Sequence, residues 1–258
     1  VRSLSGSMAP SNGTLSMESI TPSEWLMNDP SVSRLGGVIQ AWGGGAKGIG
    51  SRLIVHGGGH MDSANNGLYI FDFEGTDRPK GWVTPLVISK VADVRPDSFT
   101  YSDGKPTSVH PYDGVVYAHH NNHIYRFMGS QYGNGWLTSA TFKFELATNQ
   151  WTKLPNYPSS FAGGAKTIYD PVSGKIFVTR NGELEGYFFR TSTDTWSGAK
   201  NYSGDGFPFS SSGAWDSSRN RGIIVGAGEK SVLTLNFLDE TVSLNTFSPS
   251  GDTEIFGV

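Results

Sequence analysis

The chain is predicted to be an all-β propeller of four-stranded antiparallel blades, and three observations carry that expectation. First, three stretches superpose: Phe144-Glu-Leu-Ala-Thr-Asn-Gln-Trp151, Phe189-Arg-Thr-Ser-Thr-Asp-Thr-Trp196 and Phe237-Leu-Asp-Glu-Thr-Val-Ser-Leu244, spaced by 45 and 48 residues. A fixed period in that range marks a repeat architecture. Second, the 258 residues include 34 glycines and 12% aromatics but only 17% charged residues, which suits many short strands joined by tight turns. Third, each unit contains short apolar runs bounded by clusters of turn formers, the mark of strands rather than helices.

Residues 1–36, rich in Ser, Met, Pro and Asn, read as an irregular lead-in, and the propeller domain is expected over 37–258. The first unit, 37–82, runs through Val38 to Trp42, Leu53 to His56, Gly57-Gly-Gly-His60, Leu68 to Phe73 and Trp82. In the unit 109–154, Tyr117 precedes the turn His120-Asn-Asn-His123, followed by strands Ile124 to Phe127 and Thr141 to Phe144. The unit 164–200 has strands Ala165 to Tyr169, Ile176 to Arg180 and Gly186 to Arg190, with a fourth around Trp196. The unit 213–247 repeats it with Trp215 in the place of Tyr169, Ile223 to Val225, and Leu233 to Phe237.

The pattern resembles kelch-type repeats, in which a glycine pair ends the second strand, an aromatic lies in the third and a Trp in the fourth. Gly57-Gly-Gly59 with Tyr69 and Trp82 is the strongest match, and Met128-Gly129 and Gly226-Ala-Gly228 stand in for the double glycine later. Propellers close with four to eight blades, and this length accommodates about five. The four clear units are expected not to close a ring unaided. Either the lead-in and Gly251-Asp-Thr-Glu-Ile-Phe-Gly-Val258 make a further blade, or further blades lie outside the chain. The absence of an initiator Met points the same way, to a processed chain or a fragment.

Bulk properties exclude several functions. The net charge is −3 with basic residues scattered, so a nucleic-acid partner is not expected. No apolar run approaches the roughly 20 residues that cross a bilayer, and the first residues lack the apolar core of a signal peptide. The chain has no Cys, which removes disulfides, thiolate nucleophiles and zinc–sulfur sites. It also removes galactose-oxidase-like chemistry, which needs a tyrosine crosslinked to cysteine. No cofactor is expected.

Within a propeller, the loop from strand two to three and the link between blades emerge on one face. His60, Asp62 and Asn66 fall in the first kind of loop. The long link 83–113, about 24 residues longer than its counterpart after Trp151, ends in His110-Pro-Tyr112-Asp113. Arg180 and Glu183 flank an equivalent loop. His60, His110, Tyr112 and Arg180 are therefore catalytic candidates, since imidazole, phenol and guanidinium together suit proton abstraction beside a carboxylate. This set is similar to that of propeller polysaccharide lyases acting on uronate-containing polymers, which implies β-elimination. The structural alternative has His60 and Asp62 bracing a tight loop and His110 capping a strand.

His119, His120 and His123 suggest a metal cluster, but blade alignment puts them in the opposite, strand one to two turn, and no metal site is expected. Asp62, Asn66, Trp136 and Glu183 are ligand-binding candidates, with Trp136 in the Gly133-Asn-Gly-Trp136 loop the best of the aromatics. Trp82, Trp151, Trp196 and Trp215 are assigned to packing between blades. Glycine-rich, cysteine-free kelch chains of this type are similar to those in secreted bacterial proteins and tailed-phage structural proteins. The resemblance implies a binding module for glycans or a protein partner, outside the cell or on a virion surface. The competing expectations are a lyase and a structural component of a larger assembly.

Overall fold

The computed structural model describes residues 43–48, 50, 52–58, 63–73, 81–82, 88–95, 98–159, 163–203, 211–226 and 231–246. Within these residues every regular element is a strand, apart from a single 3-10 turn at Val91–Asp93. Four antiparallel sheets follow one another along the chain. The first holds β1 (Gly44–Lys47), β2 (Arg52–His56), β3 (Leu68–Asp72) and β4 (Gly81–Trp82). The second holds β5 (Val109–His110), β6 (Val115–Ala118), β7 (His123–Gln131), β8 (Leu137–Glu145) and β9 (Gln150–Leu154). The third holds β10 (Ala165–Tyr169), β11 (Lys175–Arg180), β12 (Glu185–Arg190), β13 (Thr195–Trp196) and β14 (Lys200–Asn201). The fourth holds β15 (Ser212–Asp216), β16 (Arg221–Val225), β17 (Ser231–Asn236) and β18 (Thr241–Thr246). Their innermost strands stand side by side, β1 next to β6, β6 next to β10 and β10 next to β15. The described chain is thus a four-bladed β-propeller. The lead-in expected over 1–36, and the tail 251–258 that one of the two alternatives joins to it in a further blade, lie outside the described residues.

Turn chemistry sets the register. The turns between strands one and two end at Asn122 (φ 57°), Gly174 (71°) and Asn220 (50°), and those between three and four at Asn149 (55°), Asp194 (53°) and Glu240 (53°). Gly, Asn and Asp tolerate this left-handed region, which explains their recurrence at the closing position. Asp170 and Asp216 open two of the turns by accepting backbone N–H bonds, from Val172 at 2.8 Å and from Ser218 at 3.1 Å. Phe144 pairs with Trp151 and Phe189 with Trp196, as the repeat predicts. In the fourth blade, however, the equivalent pair is Leu235 with Val242. Phe237 falls in the turn, so the alignment of Phe237 and Leu244 with the other units is corrected by two residues.

The second blade is more elaborate than its sequence suggests. Its innermost strand is split, with β5 and β6 both pairing with β7 on either side of a turn closed by Gly114 N–H to Pro111 O at 2.7 Å. The strand expected to end at Phe127 continues to Gln131 through a bulge at Met128 (φ 49°) and Gly129 (φ 133°). A side chain at Gly129 would place its Cβ 2.7 Å from the His110 carbonyl oxygen, so the bulge requires glycine.

Both faces of the middle blades are buried, and alternate residues serve different neighbours. On β11, Ile176 and Val178 pack into the core shared with the second blade, whereas Phe177 packs towards the fourth. On β12, Tyr187 and Phe189 face the second blade and Phe188 the fourth. That double burial produces continuous apolar runs rather than alternation. The second-to-third core joins Tyr125, Phe127, Tyr157 and Phe189, with Trp196 packed against it. The first-to-second core joins Ile54, Leu68, Ile124 and Phe144, with Trp151 against it. Each fully buried ring contributes about 2–3 kcal/mol by area removed from water. Trp151, Trp196 and Trp215 all pack between blades as assigned. Trp82 occupies β4 as expected.

Candidate functional site

The end of the propeller carrying the β2–β3 loop and the long link is braced internally. Asn66 is fully buried, and its amide donates to Ser89 Oγ (2.9 Å) and Pro106 O (2.8 Å) while accepting from Ser89 N–H (2.9 Å). Tyr101 Oη donates to Ala64 O at 2.9 Å, and Ser108 Oγ to Ser63 O at 2.9 Å. Asn66, a ligand candidate by sequence, is therefore a clamp between loop and link. Gly58 (φ 138°) sits in the same clamp, because a Cβ there would lie 2.5 Å from Ser108 Oγ. His60 and Asp62 lie outside the described residues.

The remaining candidates form two pairs and a single projection. His110 is 4% exposed on β5, and its ring meets Tyr112 edge to face at 6.2 Å. Tyr112 has a positive φ of 53° and bridges to Ala165 of the third blade, its ring lying against Gly164. Burial raises the Tyr112 hydroxyl above its usual range. Arg180 forms an ion pair with Glu183, each the other's counter-charge across the β11–β12 turn. Burial lowers the Arg180 pKa, and nearby Tyr157 and Glu185 oppose that shift. Trp136 is 67% exposed at the tip of the β7–β8 hairpin. Behind Tyr112, burial pushes the Asp113 carboxyl up to about 6 against the opposing pull of Thr167 N–H and Lys166.

At the opposite end a depression of about 560 Å³ opens on the axis, lined by Lys47, Gly48, Gly50, Tyr117, His119, Tyr169, Pro171 and Trp215. Lys47, Tyr117, Tyr169 and Trp215 come from the ends of β1, β6, β10 and β15, one from each blade. The equivalence of those four strands puts four side chains at one level around the axis. Two of the rings are pinned: Tyr117 Oη donates to Asn122 Oδ1 at 2.8 Å, and Tyr169 Oη bonds His120 Nδ1 at 2.8 Å. Trp215 is held edge to face by Phe237 at 5.5 Å. Among the described residues no carboxylate lines the depression.

Of the histidines assigned to this end, His119 stands at the rim, edge to face with Tyr169 at 5.3 Å. His120 is a staple between blades, its Nε2 bonded to Thr191 Oγ1 at 2.9 Å. Thr191 gives its only proton to Gly174 O (2.6 Å), so His120 Nε2 carries the hydrogen and Nδ1 accepts from Tyr169. His123 lies 4.0 Å from Glu145. Among the described residues no group of three or more metal-ligating side chains converges. Tyr117 and Tyr169 enter the sequence reading as blade markers and Trp215 as packing. The signal that would have found the depression is their common place at the end of each innermost strand.

No family model matches the chain, and no curated protein matches it. Among solved structures, that of YjhT is similar, with 18% identity and a TM-score of 0.49 over 82% of this chain. The chain spans 66% of the length of YjhT.

Proposed function

We propose that this chain is a kelch-type propeller acting as a binding module, and that it takes a glycan into the axial depression. One observation carries the reading: four successive blades each contribute the same strand-end position to one concavity, and three of the four residues are aromatic. Aromatic faces stack on the apolar C–H face of a sugar ring, and the Lys47 ammonium and His119 imidazole at the rim can bond its hydroxyls. The volume falls in the range of small-ligand sites. The double glycine at Gly57-Gly58 after β2, Tyr69 on β3 and Trp82 on β4 support the kelch assignment. A setting outside a cell or on a virion surface, with a glycan or protein partner, belongs to the same proposal.

The test is a glycan array followed by titration of the best hits, read by tryptophan fluorescence. Trp215→Ala is expected to weaken binding at least about tenfold, as loss of a stacked ring does, and Trp136→Ala to leave it unchanged. Silence on the array, or sensitivity at Trp136 alone, would overturn the reading. Elimination on uronate polymers at His110 and Tyr112 is the competing proposal, favoured by their edge-to-face meeting beside the axis. A rise in absorbance from unsaturated ends would support it, and a flat trace would count against it.

A further inference from the structure

The interface between the first and second blades has an apolar half and a polar half. Ile54, Leu68, Tyr117, Ile124 and Phe144 fill the first. Further along the same faces, where Arg126 pairs with Val115 and Phe142 and His56 pairs with Gly44 and Leu68, the side chains turn polar. Arg126 is completely buried, its guanidinium 4.7 Å from the centre of the Phe142 ring. Neither Nε nor Nη1 has a hydrogen-bond partner, and among the described residues no carboxylate pairs with it. His56, also completely buried, donates Nδ1–H to Gly67 O at 3.1 Å and leaves Nε2 without a partner. Its ring meets Trp151 at 5.4 Å, and the indole Nε1–H of Trp151 is buried and unpartnered too. Trp151 in turn meets Phe142 at 6.4 Å, closing the cluster.

Such an interface is unbalanced. Among the described residues it holds a cation with two idle donor nitrogens, an idle indole donor and no negative charge, and an uncompensated buried charge is among the costliest features a fold can carry. Burial lowers the Arg126 pKa to about 9, which still leaves the group charged at neutral pH. Tyr101, the nearest acidic group in electrostatic terms, already donates its hydroxyl to Ala64 O and is held protonated by burial. A buried water could fill donors but would leave the charge standing.

We infer that the seam between the first two blades is a binding site for a small monovalent inorganic anion of halide size, held by the Arg126 guanidinium and the Trp151 indole N–H. One cation calls for one negative charge, and the surrounding Phe142, Trp151 and aliphatic side chains favour a weakly hydrated ion over a doubly charged oxyanion. No glycan in the axial depression is required for it.

The test uses the full chain. Thermal melts in sodium chloride, sodium bromide and sodium gluconate at one ionic strength are expected to show saturable stabilisation by both halides, of roughly 5 °C over gluconate. Crystals soaked in bromide are expected to show an anomalous peak within about 3.5 Å of Arg126 Nε or Nη1. Arg126→Met, which replaces the charge by a side chain of similar length, is expected to melt at one temperature in all three salts. Should that variant fail to fold, Trp151→Phe is expected to raise the half-saturating bromide concentration several-fold. Equal melting of the wild type in chloride and gluconate, a map with only a water beside Arg126, or an unchanged halide response in these variants overturns the assignment.

Discussion

Arg190 and Glu240 join the third blade to the fourth through two parallel contacts, Nε to Oε1 at 2.7 Å and Nη2 to Oε2 at 2.5 Å. Lys175 adds a third at 3.2 Å. Glu240 closes its turn at φ 53°, a conformation its own side chain does not favour. The fork from Arg190 therefore holds in place a residue that local preference would replace with Gly or Asn. Burial opposes ionisation of Glu240, but the bonds from Arg190 and Lys175 outweigh it and hold the carboxyl below its usual range. The contribution is present above pH 4.5 and is lost as pH falls through the lowered value. With Arg190 partly exposed, a double-mutant cycle with Arg190→Ala and Glu240→Ala is expected to give a coupling of about 1 kcal/mol, fading in acid. A coupling indistinguishable from zero at pH 7 would remove the fork from the account.

Asp113 behaves in the opposite sense. Its carboxyl is raised from 3.8 to about 6 by burial, so the folded chain holds a proton that the unfolded chain has released. Stability should fall as pH rises from about 4 to about 6, by roughly 3 kcal/mol at most. Asp113→Asn is expected to remove that slope in urea melts. Parallel pH profiles for the two proteins would show that Asp113 is not its source.

Glycine substitutions should separate crowding from backbone strain. Gly182 has a φ of 75° with open space where a Cβ would stand, so Gly182→Ala is expected to cost about 1 kcal/mol. Gly58 combines a φ of 138° with Cβ approaches of 2.5 Å to Ser108 Oγ and 2.8 Å to Asn65 O. Gly58→Ala is expected to cost at least about 3 kcal/mol, because the clamp between loop and link must open. Equal losses at the two positions in denaturant melts would contradict this.

The hydrogen-bond chain from Tyr169 through His120 to Thr191 and Gly174 allows one arrangement of protons. Nitrogen NMR is expected to find His120 neutral with hydrogen on Nε2. Burial, with His119 and His123 nearby, lowers its pKa below 6.5. The unfolded chain then binds the extra proton first, so stability is complete above pH 6.5 and declines as the solution is acidified. Finding the hydrogen on Nδ1 would break the chain as drawn.

The blades were legible because their signals are local. Phe144 with Trp151 and Phe189 with Trp196 sit in hairpins whose turns close at Asn149 and Asp194, residues suited to the left-handed position. The fourth blade misled by two residues because Phe237 and Leu238 occupy a turn that carries few turn formers. Phe237 is nonetheless buried, against Phe188 at 5.2 Å, so it looks like a strand residue in sequence. The split of β5 from β6 depends on how Tyr112 reaches the third blade, a contact across more than fifty residues that no local pattern encodes. The axial depression was hidden for the same reason, since its aromatics lie some fifty residues apart and meet only when the strands stand side by side. Candidates on the other face rest on loop position and residue type, which do not set side-chain direction, and the structure turns Asn66 inward while tying Arg180 to Glu183.

Because each blade lends one strand end to the depression, its width is a readout of the angles between blades. A molecule lodged there would bear on all four at once, like a pin through a hinge. Its release would then be sensed as slack at every seam, including the one that encloses Arg126.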